Sequence, residues 1–284
     1  MDEGKVQIRV RGNMNRVLWA VLLLLLSNTV LAANGDAPGG KEVFIKSNDL
    51  NVFGVLYDET KEESNRKPAL IFLHGWAPQN VRAGERGTYT AKKFSKSGYI
   101  TLAVTMRGWP DTGGYDLCGW KQPQDISQVV EWLKKQAGVD PNRIGIVGHS
   151  QGGQVALLVS ALNKSVKSVV AYYPVTDISL WAKETDLPKE AIDGYINGVC
   201  AYKATQKDRS PVFKAEEINA NVLLMHGEDD RRVPIKHSEI MLAALLKYNK
   251  QAELHRVQKG HHGAYGKVWE GTELMVLNYL NQNL

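Results

Sequence analysis

Short continuous apolar runs alternate along this chain with longer segments whose apolar positions recur at helical spacing. Ala69-Leu70-Ile71-Phe72-Leu73 is unbroken and rich in branched and aromatic side chains, which predicts a strand buried on both faces. Tyr99–Met106, Arg143–Val147, Val166–Tyr173 (ended by Pro174) and Asn221–Met225 read as further strands, and Ala252–Val257 as the final one. Lys41–Ile45 and Leu50–Tyr57 predict two strands joined by a turn at Ser47-Asn48-Asp49. Helices are predicted over Thr90–Lys96, Gln124–Gln136, Gln151–Leu162, Ile235–Tyr248 and Lys267–Asn281; in the second, Ile126, Val129, Val130 and Leu133 share one face. Strands alternating with helices imply βαβ units, hence an α/β fold with a mostly parallel central sheet flanked by helices. The rhythm breaks from Asp177 to about Glu217, a stretch holding Trp181, Tyr195, Cys200 and Tyr202. A connection this long reads as a lid or binding insert, or as a pair of short helices.

The first residues stand apart. Arg16 precedes the apolar run Val17–Leu26, and Ser27-Asn28-Thr29-Val30-Leu31-Ala32-Ala33 follows it. A basic flank, a short apolar core and a small-residue exit describe a secretory signal peptide over residues 1–33, cleaved after Ala32 or Ala33. Met14-Asn15-Arg16 also makes an n-region, so Met14 is a second candidate start. The run is short for a bilayer span. The expectation is a single catalytic domain over 34–284, periplasmic or secreted, with no stable membrane insertion after cleavage; an uncleaved leader acting as an anchor is the alternative.

The formal charge of +5 is partly the leader's, where Lys5, Arg9, Arg11 and Arg16 stand against Asp2 and Glu3. No basic run is interleaved with aromatics, so nucleic acid is not an expected partner. In an exported chain the two cysteines, Cys118 and Cys200, allow a disulfide. Neither has metal-ligand spacing with histidines, so no metal is expected.

The chemistry gathers around Arg143–Gly153, where an apolar run leads into Gly148-His149-Ser150-Gln151-Gly152 and then into an apolar helical run. This is Gly-x-Ser-x-Gly in the strand-turn-helix setting of a nucleophile elbow, with Ser150 held at a helix N-terminus. A serine hydroxyl needs a base, and the base needs an acid to fix its tautomer. Of the seven histidines, His261 and His262 fall in the loop after the last predicted strand. His226-Gly227-Glu228-Asp229-Asp230 follows the strand before it, at the sheet edge where open α/β sheets bind ligands. The chain order serine, acid, histidine is that of the α/β-hydrolases.

At these residues the chain resembles an α/β-hydrolase of the prolyl oligopeptidase and dienelactone hydrolase branch, over roughly residues 41–284. His226, Gly227, Asp230, Val233 and Pro234 match that branch's acid motif, which implies Asp230 as the acid. The branch's base sits immediately before a glycine, which favours His262, before Gly263; His261 is the alternative. Arg107-Gly108-Trp109-Pro110-Asp111-Thr112-Gly113-Gly114 resembles the Arg-Gly-rich loop after the fourth strand. One oxyanion donor is expected at the N–H of Gln151, the residue after the nucleophile. His74-Gly75-Trp76 resembles the family's oxyanion loop and implies the Trp76 N–H as the other. The expected enzyme is a serine hydrolase needing no cofactor, an exported esterase-like protein acting on a small ester or short peptide. A prolyl oligopeptidase-type exopeptidase and a non-catalytic binding protein on a hydrolase fold are the alternatives.

Overall fold

The computed structural model describes residues 39–59, 66–76, 85–193 and 206–284, all within one compact unit, Ala37–Leu284. The expected leader lies outside the described residues, as does Cys200. Among the described residues no helix is long and apolar enough to cross a membrane.

The strands are β1 (Lys41–Ser47), β2 (Leu50–Tyr57), β3 (Lys67–Leu73), β4 (Ile100–Val104), β5 (Val139–His149), β6 (Val166–Tyr172), β7 (Asn221–Gly227) and β8 (Ala252–Val257). They form one sheet in the order β1-β2-β4-β3-β5-β6-β7-β8. β1 and β2 pair antiparallel, β2 and β4 pair antiparallel, and every pairing from β4 through β8 is parallel. The burial pattern follows position. Ala69–Leu73 of central β3 is buried throughout, whereas edge strand β1 alternates, with Val43, Ile45 and Ser47 in and Glu42, Phe44 and Lys46 out.

The helices are α1 (Glu85–Ser95), α2 (Gln122–Leu133), α3 (Gln151–Leu162), α4 (Ile178–Glu184), α5 (Lys189–Asp193), α6 (Lys236–Lys247) and α7 (Thr272–Asn283). Two apolar layers sandwich the sheet. One joins its side chains to Ile126, Val129 and Leu133 of α2, Val155 and Val159 of α3, and Met241 and Leu245 of α6. The other joins it to Ala91 and Phe94 of α1 and Val276 and Leu280 of α7. This is the α/β-hydrolase fold expected from the resemblance. α3 is buried from Gln151 through Ser160, so it packs on every side and shows little of the one-faced pattern of a surface helix.

Two elements differ from expectation. The predicted final helix is broken: a 3-10 turn at Lys267–Trp269 precedes α7, and Gly271 between them has φ 82°, which a right-handed helix cannot contain. In the irregular stretch, α4 and α5 precede a 3-10 turn at Pro211–Glu217, with residues 194–205 outside the described set. The Asp177 carboxylate caps α4 by accepting from the N–H groups of Ser179 and Leu180.

The loop after β4 is fastened by a buried ion pair. Arg107 Nε donates to Asp125 Oδ2 at 2.6 Å and a terminal nitrogen donates to Oδ1 at 3.0 Å. Ser47 Oγ donates to the same Oδ1 at 2.7 Å, so β1, the loop and α2 meet at one carboxylate. The Arg-Gly motif is therefore structural at Arg107.

Candidate active site

Ser150 joins β5 to α3 with φ 54° and ψ −114°, a strained conformation for a residue with a side chain that costs about 1–3 kcal/mol. Its neighbours over-determine it. The Ser150 N–H donates to the Tyr172 carbonyl of β6 at 2.9 Å, and its own carbonyl accepts from the Gln154 N–H at 3.0 Å. The turn is too tight for side chains on either flank: a Cβ on Gly148 would lie 2.2 Å from the Gly152 oxygen, and one on Gly152 would lie 2.5 Å from the Leu73 and His74 oxygens.

Three side chains from three loops meet at the C-terminal edge of the sheet. His262 Nε2 lies 3.2 Å from Ser150 Oγ, and His262 Nδ1 lies 2.7 Å from Asp230 Oδ2. The carboxylate only accepts, so Nδ1 carries the proton and Nε2 is free to accept one from the hydroxyl. Asp230 Oδ1 accepts from the N–H groups of Arg232 at 3.0 Å and Val233 at 2.9 Å. Burial works to raise the Asp230 pKa. The His226 ring beside it, the hydrogen bond from His262 and the Val233 N–H outweigh it and hold the carboxyl below the usual range.

His226 is a second, fully buried imidazole on the same acid turn. Its Nε2 lies 2.7 Å from the Val233 carbonyl oxygen and 3.6 Å from Asp230 Oδ2, and its Nδ1 lies 2.7 Å from Ser238 Oγ. A carbonyl can only accept, so Nε2 donates and Nδ1 accepts from the serine. The ring thus ties the turn to the start of α6. His261, by contrast, is exposed, and its Nδ1 meets the Asp229 carbonyl oxygen at 3.2 Å.

The His262 loop is sewn to the Asp230 turn. The Asp229 N–H donates to the Gly260 oxygen at 2.9 Å and the Glu228 N–H to the Val257 oxygen at 3.0 Å. A Cβ on Gly227 would lie 2.2 Å from that Gly260 oxygen, so the two backbones touch directly. Tyr173 pins the other side. Its hydroxyl accepts from the Ala264 N–H at 3.1 Å, its ring sits 4.7 Å from that of His262, and burial raises its pKa. Sequence reasoning missed Tyr173, whose one signal is its place at the end of β6 before Pro174.

The Gln151 N–H is among the first four of α3, which have no partner inside the helix. The His74-Gly75-Trp76 loop lies against the serine: a Cβ on Gly75 would sit 3.3 Å from Ser150 Cβ. His74 Nε2 accepts from the Met106 N–H at 3.0 Å, so Nδ1 carries the proton and donates to the Gly75 oxygen at 2.8 Å. That fixes the Gly75–Trp76 peptide, whose N–H points opposite to its carbonyl. The Trp76 side chain is 48% exposed and therefore not a core packing residue. His149 lies away from the serine hydroxyl, stacked on Tyr172 at 4.6 Å, and burial pushes its pKa down to about 4. Cys118 is buried and carries no free thiol. Among the described residues no cluster of histidine, cysteine or acidic side chains could hold a metal ion. Glu184 pairs with Lys236 at 2.6 Å.

Residues 86–284 match the model of the prolyl oligopeptidase family, Peptidase S9. The chain is 26% identical over 232 residues to the uncharacterized peptidase YuxL of Bacillus subtilis, covering 75% of this chain and 34% of that one. It is 26% identical over 279 residues to dipeptidyl peptidase 8 of Homo sapiens, covering 90% of this chain and 30% of that one. It thus spans about a third of the length of these two relatives. A puromycin-hydrolyzing peptidase of Mycobacterium tuberculosis superposes with a TM-score of 0.75 at 21% identity, over 86% of this chain and 39% of that chain, which shows a shared fold.

Proposed function

The chain belongs to the prolyl oligopeptidase family of serine hydrolases, and from that premise we propose that it is a serine peptidase of short peptides. Ser150 is its nucleophile, His262 its base and Asp230 its acid. The observation that carries the reading is the unbroken line from Asp230 Oδ2 to His262 at 2.7 Å and from His262 to Ser150 Oγ at 3.2 Å. His262 Nε2 takes the hydroxyl proton as Ser150 Oγ bonds to the substrate carbonyl carbon. The N–H groups of Gln151 and Trp76 hold the oxyanion, a role typically worth roughly 10²–10³-fold per donor. The imidazolium then gives its proton to the leaving amine, and water releases the acyl group by the same steps.

The peptidase names of YuxL, dipeptidyl peptidase 8 and the mycobacterial enzyme support an amide substrate over the ester expected from sequence. An uninterrupted acid, base and hydroxyl speaks against a non-catalytic binding protein. The same proposal puts the enzyme outside the cytoplasm after loss of residues 1–33 and joins Cys118 to Cys200. The basic flank at Arg16, the apolar run after it and the small-residue exit support export, and the bound state of Cys118 supports the bridge.

One experiment tests these together. Intact protein recovered from outside the cytoplasm is labelled with an alkyl fluorophosphonate, mapped by mass spectrometry without reduction, and assayed on aminoacyl aryl amides, short peptides and aryl esters. Expected are label on Ser150, an N-terminus at Ala33 or Asn34, a Cys118–Cys200 cross-linked peptide, and turnover of the amides that Ser150→Ala abolishes. Turnover of esters alone would overturn the peptidase assignment, and retained turnover in the Ser150 variant would overturn the nucleophile.

A further inference from the structure

Directly behind the elbow lies a buried carboxylate that the triad does not use. Asp116, in the loop between β4 and α2, is 1% exposed. Its Oδ1 accepts three N–H groups: the Cys118 backbone at 2.8 Å, Gln122 Nε2 at 2.5 Å and Gln151 Nε2 at 2.9 Å. Burial pushes its carboxyl up to about 6, against the pull of those hydrogen bonds and of the Arg209 charge facing it. Its other oxygen lies 4.0 Å from Cys118 Sγ.

The surroundings hold this carboxylate in place. Gly108 has φ 98°, and a Cβ there would lie 2.3 Å from the Asp116 nitrogen, so the loop closes tightly over it. Gln122 accepts from the Gly119 N–H through Oε1 at 3.2 Å, and Gln154 Nε2 donates to the Arg209 carbonyl at 2.6 Å. The loop and the starts of α2 and α3 therefore converge on a single acceptor.

Gln151 is the residue whose backbone N–H is the elbow's oxyanion donor. Its side chain is the only part of that residue long enough to reach across to another loop, and it is 1% exposed with Nε2 on Asp116. We infer that Asp116 is a positioning residue: by tethering the Gln151 side chain it sets the direction of the Gln151 N–H and so the strength of the oxyanion hole. This rests on the serine-hydrolase reading of Ser150. An untethered Gln151 leaves the first peptide of α3 held only through the bond of the Ser150 carbonyl to the Gln154 N–H, and a donor displaced by a fraction of an ångström loses much of its hold on the transition state.

The test reads the phosphonylation of Ser150 by an alkyl fluorophosphonate, whose P=O oxygen takes the oxyanion position. Failure of the wild-type protein to label overturns both the serine-hydrolase reading and this inference. With the wild type labelled, Asp116→Ala and Gln151→Ala should each lower the maximal labelling rate roughly 10- to 100-fold, with the half-saturating concentration within about twofold. The double variant should be no slower than the slower single one, because both remove one tether. Asp116→Asn keeps the accepting oxygen and should recover to within about threefold of wild type. Multiplying effects in the double variant, or an Asn variant as slow as the Ala one, would overturn the inference and leave the hydrolase reading intact. If Asp116→Ala does not fold, Gln151→Ala alone decides: an unchanged maximal rate overturns the tether, and a slowed one supports it.

Discussion

His261 and His262 are neighbours in sequence with opposite surroundings. His262 faces Asp230 and Ser150, and His261 faces solvent and one carbonyl. Replacing His262 with alanine should lower kcat/KM on the best substrate of the panel by roughly 10⁴-fold or more. Replacing His261 should leave it within about threefold, as expected of an exposed side chain outside the reacting line. Both histidines follow the same strand and flank the same glycines, so sequence left the pair open. What separates them is the rotation of the loop, and that is set by distant groups: the Gly260 oxygen on the Asp229 N–H and the Tyr173 hydroxyl on the Ala264 N–H. Ser150 and Asp230 were easier to read because each carries its own local signature. Asp116 had none, since an acid in a Gly-rich loop looks like a solvated turn until its burial is known.

At the scale of elements, the strands were the most legible because their runs are buried on both faces, as at Ala69–Leu73. α7 was less so: Trp269 and Val276, seven positions apart as on one helix face, continue the helical spacing across the Gly271 break. The helix α4 was hidden for another reason. Its apolar residues Ile178 and Trp181 pack on Val233, more than fifty positions away, and the Trp181 indole N–H donates to the Arg232 carbonyl at 2.9 Å. Such packing leaves no period in the sequence. The Arg107–Asp125 pair sets a prediction here. Both side chains are nearly fully buried, at 6% and 2% exposure, so Arg107→Ala leaves a carboxylate stranded in the core. Urea unfolding should show a loss of about 3–5 kcal/mol, part of which returns when Asp125 is replaced by alanine in the same chain.

For the molecule as a whole, alternation of strand and helix announced a parallel sheet, but not that β4 lies outside β3, since either order satisfies the same pattern. Its acid stability follows from groups outside the line of Asp230, His262 and Ser150. Burial lowers both His149 and His237 from 6.5 to about 4, so in that window the unfolded chain binds protons that the folded chain refuses. Stability therefore falls as pH drops from about 6.5 to 4, by up to about 1.4 kcal/mol per pH unit for each ring. Asp116 opposes this: its carboxyl, raised from 3.8 to about 6, binds a proton in the folded state first, so its contribution grows as pH falls through 6. Urea titrations at pH 7, 6, 5 and 4 should show a net loss, and Asp116→Asn should steepen it; an unchanged slope would count against the buried, raised carboxyl. The contact of Gly227 with Gly260 bears on a different matter, the reshaping of this enzyme by directed variation. In a mutant library those two codons are closed, because even one added methyl pushes the acid turn off the base loop. Glu228, Asp229, Gln258, Lys259 and His261 stand open to solvent around them, so the rim of the catalytic edge can be diversified while its hinge stays untouched.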